Sequence, residues 1–255
     1  FIDDHIIDET RHLQRTLHQP TKFVGNPVVM PFSPCEGHTV NCYGTVMYDQ
    51  GIYRMWYQGF GGTPYSVHYA TSKDGIYWEK PNLGLIEHNG DKNNNLFLYD
   101  MAPPPIIKAP GDDKPDRLYK AIFYEVLQPH TSVAFSPDGI HWTKYEGNPV
   151  KKDPTDLHNL LGWDENYDKY VAYIRPDVNR TDRTRTIGRS VSDDFINWTK
   201  PEIVLQPDEK DAPGTEFYWC PIFKYQGAYF GMPSIYHTYV EEPTIRMGAP
   251  LDIQL

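Results

Sequence analysis

Ser72-Lys73-Asp74-Gly75-Ile76-Tyr77-Trp78, Ser136-Pro137-Asp138-Gly139-Ile140-His141-Trp142 and Ser192-Asp193-Asp194-Phe195-Ile196-Asn197-Trp198 are three copies of one pattern. Asp-Gly marks a tight hairpin turn, because Gly takes φ > 0 freely and Asp tolerates it. A strand leads into each turn: Val67 to Thr71, Ser132 to Phe135 and Ile187 to Val191. A Pro marks each exit, at Pro81, Pro149 and Pro201. Asp74, Asp138 and Asp193 read as turn residues. Trp78, Trp142 and Trp198 read as equivalent buried positions packed back over the hairpin. Phe195 replaces Gly in the third copy, which predicts an altered turn there.

A second strand pair lies upstream of each hairpin. The first is Thr45 to Tyr48, a turn at Asp49-Gln50-Gly51, and Ile52 to Tyr57. The third is Leu160 to Trp163, a turn over Asp164 to Asp168, and Lys169 to Ile174. A fourth unit starts at Phe217 to Lys224, turns at Gln226-Gly227 and returns through Ala228 to Met232. The second unit is less regular, with Leu118 to Glu125 as its best strand. Each unit is thus two hairpins, and radial arrays of four-stranded sheets are β-propellers. Asp8 to Gln19 is the sole helix candidate and lacks a clean apolar stripe, so the expected class is all-β. The expected organisation is a single propeller domain over residues 1–255 with its last blade incomplete. Leu251 to Leu255 stands where a third strand of the fourth unit belongs, and Phe1 to Ile7 reads as a closing strand.

Composition narrows the function classes. A net charge of −10 offers no basic footprint for nucleic acid. The cluster Arg180, Arg183, Arg185 and Arg189 is interrupted by acids and reads as a loop and strand edge. No run approaches the roughly 20 apolar residues of a membrane helix. Aromatics at 14% suit both a β core and stacking on sugar rings. Cys35, Cys42 and Cys220 form no Cys-x-x-Cys pair. A Cys35–Cys42 bridge is open, and buried thiols are the favoured reading. The opening Phe1 reads as a mature or trimmed terminus, with a secreted or periplasmic location expected.

Asn26-Pro27-Val28-Val29, Tyr53-Arg54-Met55-Trp56-Tyr57, the Ser72 to Trp78 hairpin and Tyr170 to Arg175 resemble bacterial five-bladed propeller proteins similar to glycoside hydrolase families 32 and 43. The Ser-x-Asp-Gly-x-x-Trp hairpin also resembles the sialidase Asp-box, a structural motif that speaks to fold. The resemblance implies a glycosidase or related sugar-transferring enzyme with three carboxylates in a central funnel. The alternative is a non-catalytic glycan-binding propeller or an inactive fragment. The family 32 signatures are not intact. Asn26-Pro27 lacks an Asp, Arg175-Pro176-Asp177 has a changed order, and Glu36 follows Cys35.

Acids at the starts of innermost strands are the catalytic candidates: Glu36, Asp156 and Glu216. Cleavage of a glycosidic bond needs one carboxyl to protonate the leaving oxygen and another to attack or to activate water. Glu216 is the expected general acid, because Phe217, Tyr218 and Trp219 would desolvate it. His38, His158, Arg175, Tyr218 and Trp219 are the expected substrate-binding residues. No metal or other cofactor is expected, since neither His-x-His nor His-Glu-x-x-His occurs. The Asp91 to Asn95 run reads as a plain Asx-rich turn. A carbohydrate is the expected partner, with neither nucleic acid nor membrane, and the oligomeric state is left open.

Overall fold

The computed structural model describes residues 7–16, 18–60, 65–99, 101–109, 111–112, 114–125, 127–128, 130–152, 158–176, 184–238 and 251–253. The proposed closing strand at Phe1 to Ile7 therefore lies almost wholly outside the described residues.

The first blade runs β1 (Thr39–Asp49), β2 (Ile52–Phe60), β3 (Ser66–Ser72) and β4 (Trp78–Glu79) in antiparallel order. Its outer edge is shared, because β5 (Leu96–Tyr99) pairs with the other half of β3. The second blade is β6 (Ile106–Lys108), β7 (Tyr119–Glu125), β8 (His130–Ser136) and β9 (Thr143–Lys144). The third is β10 (His158–Asp164), β11 (Lys169–Ile174), β12 (Ile187–Ser192) and β13 (Glu202–Leu205). In the fourth unit β14 (Thr215–Trp219) and β15 (Ile222–Tyr225) are one strand broken at Cys220-Pro221. They face the similarly divided β16 (Ala228–Gly231) and β17 (Ser234–His237). β18 (Leu251–Ile253) adds the expected third strand.

Turn chemistry fixes the registers. Gln50 and Gly51 have φ of 52° and 86°, and Gln226 and Gly227 have 51° and 83°. Two consecutive positive φ values match the right-handed twist of the flanking strands. In the Ser-x-Asp hairpins the turn is tied by side chains. Asp74 Oδ1 accepts from the Ile76 and Tyr77 N–H groups at 2.8 and 2.9 Å. Asp138 Oδ1 does the same for Ile140 and His141, both at 2.8 Å. In the third copy the tie is Asp194, not Asp193: its Oδ1 accepts from Ile196 and Asn197 at 2.8 and 2.7 Å. Counting back from Trp198 rather than forward from the Asp pair gives the right residue.

Each indole N–H donates at 3.0 Å to the carbonyl three residues earlier, on Gly75, Gly139 or Phe195. The three Trp positions are equivalent, as expected. They are half-buried rather than core. Cys42 is exposed and all three cysteines are free thiols, with Cys35 and Cys220 buried.

The core lies in the seams between blades. Trp56, Tyr69 and Val67 of the first blade pack on Ile106, Tyr119 and Phe123 of the second. Ile122, Val133 and Phe135 pack on Leu160, Ala172 and Phe195 of the third. Val171, Tyr173 and Ile187 pack on Phe217, Cys220 and Ile235 of the fourth. Each strand alternates its faces between two seams, so successive sheets stack around an axis. The fold is a β-propeller of four-stranded blades.

The first two seams solve one packing problem in two ways. Trp56 Nε1 donates to the Gly139 carbonyl at 2.8 Å, and Arg54 Nη2 donates to the Asp138 carbonyl at 2.6 Å. In the next seam Ile122 holds the position of Trp56 and Phe195 that of Gly139. Phe195 keeps the left-handed φ, 67° against 76° for Gly75 and 80° for Gly139. The expected change of turn geometry does not occur. The ring is 0% exposed, and its burial offsets a backbone cost of about 1 kcal/mol.

Candidate active site

The N-terminal ends of the innermost strands meet at one end of the propeller. His158 pairs with Ile174, and Thr215 pairs with His237, so Arg175 and the residue before β14 share that end. Three of these strands are irregular. β1 shifts register between Asn41 and Thr45, β10 between Leu160 and Gly162, and β14 between Phe217 and Trp219. A bulge re-aims the side chains it carries. The one in β1 needs Gly44, where a Cβ would stand 2.1 Å from the Trp56 carbonyl oxygen.

Two bulges bring Tyr43 and Tyr218 into electrostatic reach of each other. The Tyr43 ring also meets Trp219 edge-on, with centroids 5.9 Å apart. Arg175 lies 5.0 Å from the Tyr218 ring and donates through Nη2 to the Tyr218 carbonyl at 2.7 Å. Arg185 lies 5.6 Å from Tyr218 and 5.1 Å from Tyr236. Its Nη1 donates to Glu216 Oε2, which is 4% exposed as a residue. Burial first, and then Tyr218, push the Tyr43 hydroxyl up to about 12 against the opposing pull of Arg175. It stays a neutral donor at physiological pH. Trp219 Nε1 is buried without a hydrogen-bond partner among the described residues.

Four of the expected residues, Glu216, Arg175, Tyr218 and Trp219, therefore converge. Tyr43, Arg185 and Tyr236 join them and were not singled out from the sequence. Tyr43 falls just before the strand the alternation predicts, inside the bulge. Arg185 sits in a run of arginines whose sequence reads as a loop and strand edge. The partner of Glu216 is the Arg185 guanidinium rather than the apolar wall expected from Phe217 and Trp219.

Glu36 stands in a separate network. It is 0% exposed and accepts from Tyr57 Oη at 2.6 Å, Lys80 Nζ at 2.5 Å, and the Phe32 and Ser33 N–H groups at 2.7 and 3.0 Å. Burial alone would raise its carboxyl, but Lys80, Tyr57 and the two amides outweigh burial and lower it. Its hydrogen bonds and those of Glu216 run to different residues. Behind Tyr57, His68 bridges Ser66 Oγ at 2.9 Å and Asn95 Oδ1 at 3.2 Å, wholly buried. His38 is exposed at the start of β1, its N–H bound to the Phe60 carbonyl at 2.9 Å. Asp156 lies outside the described residues, and of His158 only the backbone is described. Among the described residues no group of three His, Cys, Asp or Glu is placed to hold a metal ion.

Aromatic rings, phenols, two guanidiniums and one carboxylate are gathered here, the group types that bind and act on polyhydroxylated ligands, with Glu216 and Arg175 themselves buried.

No family model matches the chain. It is 29% identical over 152 residues to an uncharacterized protein of Mycobacterium tuberculosis (strain ATCC 25618 / H37Rv), a match of 54% of this chain and 48% of the relative. The chain spans about half the length of the curated relatives it matches. Among solved structures, a putative glycoside hydrolase from Bacteroides ovatus ATCC 8483 superposes with TM-score 0.58 at 18% identity, over 86% of this chain and 72% of that one. A structure from work on the GH130 family of mannoside phosphorylases, described as containing glycoside hydrolases that target β-1,2 mannosidic linkages in Candida mannan, gives 0.56 at 15%, over 83% and 68%. The GH32 β-fructofuranosidase BmSUC1 of Bombyx mori gives 0.53 at 16%, over 78% and 41%. At these identities the likeness is one of fold: this chain shares the propeller of glycoside hydrolases and phosphorylases.

Proposed function

We propose that this protein is a carbohydrate-active enzyme that cleaves or transfers a glycosyl unit at the Tyr43–Tyr218 cluster. The observation that carries the reading is the convergence of two bulged inner strands, which sets Glu216 among Tyr43, Tyr218, Trp219, Arg175 and Arg185. The aromatic faces hold the sugar. Glu216 supplies one carboxylate at the reacting centre. In hydrolysis a second carboxylate takes a proton from water as the water oxygen attacks the anomeric carbon and the leaving oxygen is protonated. Asp156, two residues ahead of β10 in the chain, is our candidate for it.

A second route is favoured by the two guanidiniums. Inorganic phosphate brings its own nucleophilic oxygen, so one carboxyl suffices to protonate the leaving oxygen, and Arg175 and Arg185 supply cations for the dianion. The product is then a sugar phosphate instead of a free sugar.

The test is a panel of aryl glycosides and oligosaccharides assayed with and without phosphate, with products resolved chromatographically. Glu216→Gln should lower turnover about 100-fold or more while glycan binding persists. Wild-type protein that binds glycans and turns none over would make it a binding propeller. Unchanged turnover in Glu216→Gln would remove that residue from the site.

A further inference from the structure

The opposite mouth of the propeller holds a second cleft. The C-terminal ends of β1, β6 and β10 converge there around a cavity of about 740 Å³, within the range typical of small-molecule sites. We propose that this cleft is a second saccharide-binding site, selective for a neutral sugar and separate from the Tyr43–Tyr218 cluster.

Its walls are aromatic and open. Tyr48 is 64% exposed on one side and Trp163 is 48% exposed on the other. Neither ring is loose. Tyr48 leans on Tyr53 with centroids 4.9 Å apart, and Trp163 is braced edge-on by Tyr170 at 5.1 Å. Held aromatic faces offer area at little further cost in conformational entropy, which suits stacking on a pyranose or furanose ring.

The floor is left empty by design of the backbone. Gly162 sits at φ 103°, a conformation that disfavours any side chain, and the nearest atom to a Cβ there would be Ile107 Cγ2 at 3.6 Å. A Cβ at this position would rest against Ile107.

The polar groups select the ligand. Lys108 Nζ donates to Asp49 Oδ1 at 2.5 Å, and Lys120 pairs with Asp112. Each buried or half-buried charge in the lining has its counter-charge, so the floor carries little net field for an anion or a cation. Ion pairs of this kind still present spare lone pairs and N–H donors to hydroxyl groups. Glu165 on the rim is exposed and adds a further acceptor. Nucleic acid is disfavoured by these carboxylates and by the chain's net charge of −10.

The site is independent of the catalytic reading, and the experiment separates the two. The protein is labelled with 5-fluorotryptophan, and the Trp163 and Trp219 fluorine lines are assigned by their loss in Trp163→Phe and Trp219→Phe. Cellohexaose, mannohexaose, xylohexaose and maltohexaose are then titrated in turn. At least one should move the Trp163 line. Tyr48→Ala should weaken that response about tenfold, and Glu216→Gln should leave it unchanged. Tyr48 is exposed, so its removal leaves the fold intact, and circular dichroism verifies this. A Trp163 line that stays fixed with every sugar at millimolar concentration overturns the proposal. So does one that moves equally in Tyr48→Ala, or that is lost in Glu216→Gln. Movement of the Trp219 line reports on the first site alone.

Discussion

The Trp56 indole covers Gly139 so closely that a Cβ on residue 139 would lie 3.0 Å from its Cζ2, while its N–H caps the Gly139 carbonyl at 2.8 Å. Gly139→Phe should therefore destabilise the protein by about 3 kcal/mol, through overpacking and a left-handed φ of 80°. Adding Trp56→Ile recreates the Ile122–Phe195 arrangement of the next seam. The double variant should recover about 1 kcal/mol or more relative to the sum of the single changes. Urea denaturation midpoints of the four proteins close this cycle, and strict additivity would refute the coupling.

Phe195 carries two opposed effects, buried area and backbone strain. Phe195→Ala loses the area and keeps the strain, with an expected cost of about 3–5 kcal/mol. Phe195→Gly loses the same area but relieves the strained φ of 67°, so it should be about 1 kcal/mol less damaging despite having the smaller residue. The reverse ranking would show that residue 195 leaves the left-handed region when its ring is removed.

Acid should loosen the hairpins. Burial would raise the Asp138 carboxyl, but the His141 N–H, the His141 ring, the Ile140 N–H and the Ser136 hydroxyl outweigh it and hold it at about 2. Asp194 is likewise held at about 2, by Asn197, Ile196 and Ser192 against burial. Both folded values lie below the ordinary 3.8. Their stabilisation is therefore complete above that value and is lost as pH falls toward 2. Asp138→Asn and Asp194→Asn keep an acceptor oxygen without the charge. Their denaturation midpoints should fall less steeply than wild type between pH 4 and pH 2, and parallel profiles would contradict the assignment.

Glu36→Gln should cost about 3 kcal/mol, because Lys80 loses the wholly buried carboxylate that is its counter-charge. The folded carboxyl is lowered, so this contribution too is present at neutral pH and disappears as pH falls through its titration. The same variant assayed well below its melting temperature should retain turnover. Loss of turnover in a fully folded sample would return Glu36 to the catalytic set.

The hairpins were readable because their causes are local. Asp74, Gly75 and Trp78 satisfy one another within seven residues, and the same is true at Asp138 and Trp142. The consequences of burial were not local. Glu36 precedes an inner strand, as a funnel acid should, yet Tyr57 and Lys80 close over it from β2 and from beyond β4. Tyr43 was hidden because a bulge breaks the alternation by which strands are recognised, and Gly44 was its one visible sign. Arg185 lost its meaning in a run of arginines, and only the fold brings Glu216 to it. Glu216, Tyr218 and Trp219 lie together because they share one strand, and Arg175 reaches them from the end of β11 in the neighbouring blade.

The exchange of Trp56–Gly139 for Ile122–Phe195 has a consequence for how such a chain can change over time. Gly139 and Phe195 are each matched to a strand residue in the preceding blade, some 70 or more positions away in the chain. A substitution on one side is harmful until the other follows, so the two sites should drift only as a pair. Repeats that began alike become distinct parts, each fitted to one neighbour. A blade copied or transplanted to another position would meet a seam cut for a different shape. Order around the axis is written into the interfaces themselves, and the connecting loops need not specify it.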